Sequence, residues 1–165
     1  MKINLLLSLS LVLLVACNSA NNSTDKTSEE TIIAPTALQY EIVKLYPHDT
    51  TAYTQGLEWN DNTLIEGTGL EGKSILHLMD TNMKKIGTPI KLDQSDFGEG
   101  TTQFKDKIYQ LTWKSHKVFV YDAKTLKKLK ELYWPYEGWG LTHNDTSLIV
   151  STGESNIYVV NPNNF

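Results

Sequence analysis

The stretch DFGEGTT, residues 96–102, places a single carboxylate, Glu99, between two glycines and shortly after an aromatic residue. A solvated turn would account for this acid, and so would a catalytic acid at the end of a strand that faces a cavity. An aromatic, partly desolvated cavity raises the pKa of a carboxyl group and suits it to proton transfer near neutral pH. Glu99 is therefore a candidate acid/base residue, and the surrounding elements must decide between the two interpretations.

Glu99 belongs to a repeated unit. Gly56, Gly100 and Gly140 are 44 and 40 residues apart, and an apolar pair comes eight positions after each of them. A strand-like segment then follows in every copy: SILHLMD, KVFVYD and NIYVVNP. Short alternating strands with regular turns indicate an all-β fold, and a period of about 40–45 residues is typical of a four-stranded β-propeller blade. We therefore predict about three blades, stacked on one another because a single blade cannot bury both of its faces.

The innermost strand of such a blade lines a central channel, where glycine allows a close approach of backbones. The residues that precede the three glycines, Gln55, Glu99 and Trp139, would then face one common space. Core packing remains the alternative for any single aromatic residue, and Trp134, which has no counterpart in the other copies, is interpreted as structural. The aromatic residues near the repeated positions are Tyr53, Phe97, Trp113 and Trp139.

The segment AKTLKKLKEL, residues 123–132, has leucines at helical spacing with lysines between them. This pattern could indicate a helix on a membrane surface. The repeat register instead predicts a turn and an outer strand with a solvated lysine face.

Charge and motif content exclude several function classes. The formal net charge is −4 and all 15 basic residues are lysine. An acidic chain without arginine is a poor candidate for binding nucleic acid or phosphate. The histidines show no metal-ligand spacing, and no Gly-rich phosphate loop or Gly-x-Ser-x-Gly motif is present. We predict neither a metal site nor a cofactor.

The N-terminus predicts export and lipidation. Residues 1–16 carry one lysine and a Leu/Val-rich run, which is typical of a signal peptide. Leu14-Val15-Ala16-Cys17 resembles a bacterial lipobox and predicts a lipid anchor on Cys17, with an ordinary secretion signal as the alternative. Residues 17–37 are polar and predict a disordered tether. A folded domain is predicted over 38–165, held at the periplasmic or extracellular face of a bacterial envelope.

Six ordered motifs resemble the plant-type glutamine cyclotransferases (glutaminyl-peptide cyclotransferases): YTQGLEW, LIEGTGLEGKS, FGEGTT, DKIYQLTWK, VFVYDAKTL and EGWGLT. The resemblance covers residues 50–165. It implies a five-bladed β-propeller enzyme that converts the N-terminal glutamine of a peptide to pyroglutamate and releases ammonia, without a metal or other cofactor. It also implies two blades beyond Phe165, so that the 165 residues would be an N-terminal part with an incomplete site.

The resemblance also implies roles for individual residues. Glu99 would relay protons between the attacking α-amine and the departing amide nitrogen. Gln55 would bind the substrate near its amino end, and four aromatic residues would wall the pocket: Tyr53 (where the family usually has Phe), Phe97, Trp113 and Trp139.

One departure from the family pattern keeps a second function open. Thr152 stands where the family commonly has Asp. A propeller lipoprotein that binds peptides without catalysis is therefore the alternative, and a purely structural surface lipoprotein is a third possibility.

Overall fold

The computed structural model describes residues 34–165. The chain divides into two units between Glu41 and Ile42, and the structure describes only residues 34–41 of the first unit. Residues 34–41 of the first unit are exposed and have no regular secondary structure. The predicted signal peptide, Cys17 and most of the predicted tether lie outside the described residues. Within the described part, no helix is long and apolar enough to cross a membrane.

The second unit contains three antiparallel sheets in which consecutive strands are neighbours. The first sheet consists of β1 (Thr54–Asn60), β2 (Thr63–Thr68), β3 (Ile75–Met79) and β4 (Lys85–Lys91). The second consists of β5 (Gly98–Phe104), β6 (Lys107–Thr112), β7 (Lys117–Asp122) and β8 (Lys128–Tyr133). The third consists of β9 (Leu141–His143), β10 (Leu148–Ser151) and β11 (Ile157–Val160).

The repeat register predicted these strands correctly. The three apolar pairs lie in β2, β6 and β10, and the three strand-like segments form β3, β7 and β11. The lysine-rich segment at 123–132 is a turn followed by β8, and three of the four lysines of the segment are exposed. The all-β prediction is confirmed, whereas a complete ring of five blades stays a prediction.

The core lies between successive sheets. One apolar cluster joins the first and second sheets and includes Ile65, Leu76 and Ile108. The other joins the second and third sheets and includes Leu111, Val118 and Leu148. Neighbouring residues of β6 and β7 point to opposite faces of their sheet. One apolar cluster covers each face, so both strands are buried almost throughout. Each fully buried aliphatic side chain contributes about 1.5–3 kcal/mol, and this burial stacks the sheets as predicted.

Candidate active site

A cavity of about 540 Å³ opens where the three sheets meet near the starts of their first strands. The six residues predicted to form a site all line this cavity, together with two residues of the third sheet region. The lining residues are Tyr53, Gln55, Phe97, Glu99, Trp113, Trp139, Gly140 and Ser151. The common space predicted for the three repeated positions is thus confirmed, while the chemical role of each side chain stays a prediction.

Irregular strand pairing places Gln55 and Glu99 at the cavity. In the pairing of β1 with β2, Gln55 is an extra residue without a partner on β2, because it lies at a register shift between the paired residues Thr54 and Gly56. The same irregularity recurs in the pairing of β5 with β6, between Gly98 and Thr101, and it spans Glu99. An extra residue of this kind bends a strand and re-aims its side chains. The inner strands therefore present a polar side chain to the cavity at the same structural position.

Gly100 allows the second and third sheets to meet at the site. Its backbone N–H donates to the carbonyl oxygen of Trp139 at 2.8 Å. A Cβ atom at this position would lie 2.4 Å from the same oxygen and 2.5 Å from the backbone nitrogen of Leu141. Any side chain here would push the strands apart, so glycine is required where Trp139 is anchored beside Glu99.

Three aromatic rings form a continuous wall. The Tyr53 and Phe97 rings pack edge to face with centroids 6.0 Å apart, and Phe97 packs in the same way on Trp113 at 5.7 Å. Gly69 makes room for this wall, because a Cβ atom there would lie 2.4 Å from the Phe97 ring. Backbone bonds hold the wall in place, from Gly69 N–H to Tyr53 O at 2.7 Å and from Trp113 N–H to Phe97 O at 3.0 Å.

An ion pair with a buried carboxylate supports the segment that precedes Phe97. Asp96 is fully buried, and Lys117 Nζ lies 3.0 and 3.1 Å from its two carboxylate oxygens. The side chain of Ser74, in the loop between β2 and β3, also accepts the backbone N–H of Gly98 at 3.0 Å. These contacts tie both ends of the segment to neighbouring elements and orient Phe97 and Glu99.

The environment of Glu99 raises its pKa from 4.5 to about 7. Burial is the main cause, because only 8% of the residue is exposed and the charged form loses hydration. The amide of Gln55 opposes the shift, and the negative charge of Glu137 adds to it. A carboxyl group with this pKa exchanges a proton readily at neutral pH, which is the property required of an acid/base catalyst.

Glu137 belongs to the site and was missed by the sequence analysis. Its Oε2 accepts hydrogen bonds from Trp113 Nε1 at 2.8 Å and from Trp139 Nε1 at 3.1 Å. These two indole bonds are the main reason that the pKa of Glu137 lies below 4.5. The only signal in the sequence was an acid two positions before Trp139 in the EGWGLT motif.

Trp134 does not line the cavity and is 4% exposed within the core between the second and third sheets, which confirms its structural interpretation.

Thr152 is also buried, and its hydroxyl has no hydrogen-bond partner in the structure. It borders a separate cavity of about 460 Å³, which Trp139 also lines.

Two histidines that are distant in the sequence meet outside the cavity. His48 Nε2 and His77 Nε2 lie 2.9 Å from the two carboxylate oxygens of Glu66, which is 1% exposed. Thr54 Oγ1 donates to Glu66 Oε1 at 2.5 Å. Burial opposes ionisation of Glu66, but the contacts with His77, Thr54 and His48 outweigh it and lower the pKa of Glu66 to about 2. Residues 34–165 contain no group of three or more His, Cys, Asp or Glu residues arranged to hold a metal ion.

Comparison with known proteins gives consistent matches. A family model described as glutamine cyclotransferase matches residues 9–165. A glutaminyl-peptide cyclotransferase of Arabidopsis thaliana is 37% identical over 126 residues, which are 75% of this chain and 39% of that protein. The crystal structure of Myxococcus xanthus glutaminyl cyclase superposes with a TM-score of 0.68 at 27% identity, over 76% of this chain and 53% of that one. The chain thus spans about two fifths of the first relative and about half of the second.

Proposed function

The chain belongs to the glutamine cyclotransferase family, and we propose that it carries the acid/base residue and the aromatic pocket of a glutaminyl-peptide cyclotransferase. The substrates would be peptides or proteins with an N-terminal glutamine, and the products pyroglutamate and ammonia. One observation supports this proposal above all others. A buried carboxyl group with a pKa of about 7 faces a cavity lined by four aromatic residues.

The cavity suits a neutral, compact substrate group. Its volume of about 540 Å³ falls within the range of about 300–1,000 Å³ that is usual for small-molecule sites. The uncharged glutamine side chain can pack its methylene groups on the rings of Phe97 and Trp113. The side chain of Gln55 lies beside Glu99 and offers a hydrogen-bonding group to the amino end of the substrate.

The proposed reaction is an intramolecular displacement. The α-amine attacks the carbonyl carbon of the γ-amide, a new C–N bond closes the five-membered ring, and the Glu99 carboxylate accepts a proton from the amine. The tetrahedral carbon then expels the amide nitrogen as its C–N bond breaks, and Glu99 returns the proton so that ammonia leaves. Both steps use one residue, which begins and ends the cycle as a carboxylate.

The pocket accelerates this reaction mainly by holding the reactive groups together. Fixing an amine against its own amide carbon removes entropy cost from the transition state, and a positioned proton relay adds about 10²–10⁴-fold. Of the side chains that line the cavity, only Glu99 is ionisable near neutral pH and none is His or Cys. We therefore propose a metal-independent route without a cofactor.

We also propose that the protein is anchored to a bacterial envelope membrane through Cys17. The sequence before this cysteine supports the proposal, because a short apolar run ends in Leu-Val-Ala-Cys. Detergent-phase partitioning of the wild type and of Cys17→Ala tests it. Equal partitioning of the two forms would exclude the anchor.

Ammonia release from a glutamine-initiated peptide tests the enzymatic proposal. The assay compares the wild type, Glu99→Gln and the matched control Glu131→Gln, which removes a carboxylate from exposed β8. We expect Glu99→Gln to lower kcat by about 10²-fold or more and Glu131→Gln to leave it unchanged. Binding of the peptide by the folded wild type without ammonia release would instead support a peptide-binding propeller.

A further inference from the structure

Glu137 is an acid of the site region that the proposed reaction does not use. It lies in the loop between β8 and β9, and its carboxylate accepts both indole N–H groups of the cavity wall, from Trp113 and Trp139. An indole N–H is only a donor, so each ring needs an acceptor in a fixed direction. A single carboxylate oxygen of Glu137 accepts both indole N–H groups. It therefore couples the ring of Trp113, which follows β6 of the second sheet, to the ring of Trp139, which precedes the third sheet.

The backbone around Glu137 is held before any substrate arrives. The N–H of Gly138 lies 3.2 Å from the carbonyl oxygen of Thr112 and 3.1 Å from that of Trp113. On the other side, Trp134 Nε1 donates to the carbonyl oxygen of Glu137 at 3.3 Å. The loop is therefore docked on the end of β6, where Trp113 follows, and the carboxylate is presented to both indoles by a preorganised support.

The charges that face Glu137 favour its ionised form. Lys114 Nζ lies 3.9 Å from Glu137 Oε1 and also 3.8 Å from the centroid of the Trp113 ring, and His116 adds a favourable charge interaction. Glu99 is the opposing group, because the two carboxylates repel each other. Glu137 therefore stays negative at neutral pH and directs that charge towards the acid/base residue.

On the basis of the proposed function, we propose that Glu137 is a positioning residue that fixes the indoles of Trp113 and Trp139 as one wall of the glutamine pocket. Trp139 needs such a support most, since 47% of this residue is exposed and a free ring would turn in solvent. A fixed wall determines where the substrate amide lies relative to Glu99. The charge of Glu137 has a second consequence, because it contributes to the raised pKa of Glu99.

Glu137→Gln separates this role from a general structural one. The glutamine keeps the size of the side chain and one acceptor oxygen, but it loses the negative charge that strengthens both indole hydrogen bonds. We expect kcat/KM to fall by about tenfold through misplacement of the substrate. The acid limb of the profile of kcat/KM against pH should also move to lower pH, because Glu99 loses a negative neighbour.

Nuclear magnetic resonance of the two indole Nε1–H groups provides a readout that does not depend on activity. We expect the Trp113 and Trp139 signals to move in Glu137→Gln and to stay in place in Glu131→Gln. Unchanged indole signals or an unchanged acid limb in folded Glu137→Gln would overturn the proposal, and so would movement of one indole alone. If no form releases ammonia, the proposed function fails, while the indole signals still test the wall.

The wild type provides a test that needs no substitution. Protonation of Glu137 removes the charge from its acceptor oxygen, so both indole signals should shift together as the pH falls below 4.5. Independent or absent shifts in this range would overturn the proposal even if Glu137→Gln failed to fold.

Discussion

Replacing Glu99 by Gln should stabilise the folded chain at alkaline pH, although it removes the proposed acid/base residue. The carboxylate is buried beside aromatic rings, and the negative charge of Glu137 opposes its ionisation. Above neutral pH the folded chain must keep this charge in an unfavourable place. Glutamine has nearly the same shape and carries no charge, so it avoids this cost.

The sign and size of the effect follow from the pKa values. The pKa of Glu99 is raised from 4.5 to about 7 on folding, so the folded chain binds more protons than the unfolded chain between these values. The free energy of unfolding therefore falls as the pH rises through this window. A rise of about 2.5 in pKa corresponds to at most about 3 kcal/mol. Because the cavity is open to solvent, we expect about 1–2 kcal/mol.

Urea unfolding followed by circular dichroism measures this difference. Wild type, Glu99→Gln and Glu131→Gln are compared at about pH 4.5 and about pH 8.5, with m expected at about 1–3 kcal/mol/M. We expect similar midpoints for wild type and Glu99→Gln at the lower pH. At the higher pH the Glu99→Gln midpoint should be higher by about 1 M, whereas Glu131→Gln should follow the wild type.

The reasoning would be refuted by a stability difference between wild type and Glu99→Gln that does not change with pH. It would equally be refuted if Glu99→Gln were the less stable protein at about pH 8.5. Either result would mean that Glu99 is ionised in the folded chain at little cost, and an acid/base role near neutral pH would lose its physical basis.

Two further substitutions probe other parts of the structure. Glu66→Gln should lower the free energy of unfolding by about 3 kcal/mol at about pH 6 and by little at about pH 2. The reason is that folding lowers the pKa of Glu66 from 4.5 to about 2. The stabilisation by the Glu66 carboxylate is therefore lost as the pH falls through that range. Acid-unfolding curves measure this, and a constant deficit at all pH values would contradict it. Gly100→Ala should cost about 1–3 kcal/mol through overpacking, because the new Cβ would lie 2.4 Å from Trp139 O. An unchanged urea midpoint would show that the strands can separate without loss.

The strands could be predicted from the sequence because their signals are local. Alternating apolar residues determine which face of a strand is buried, and turn residues mark its ends. The repeated glycines then placed Gln55, Glu99 and Trp139 in equivalent positions before any contact was known, and all three line one cavity. The aromatic residues Phe97 and Trp113 could be assigned to the same cavity because they lie next to these positions or in the motifs that resemble the family.

The electrostatic partners could not be predicted in this way. Glu137 is separated from Trp113 by 24 positions, and His48 from Glu66 by 18. Neither separation follows the repeat, since these contacts cross from one strand or loop to another. The irregular pairing that aims Glu99 at the cavity also depends on the partner strand, because it consists of one residue more on β5 than on β6.

The sequence by itself determined the positions of the strands, the repeat and the residue types that face the cavity, since periodicity and turn chemistry act over a few neighbouring residues. Only the tertiary structure decided that Glu99 has a pKa of about 7 and that Glu137 joins two indoles. The physical reason is that desolvation, charge repulsion and hydrogen-bond direction depend on distances between sheets. Those distances are determined by how the sheets pack, and no single segment of the chain contains them.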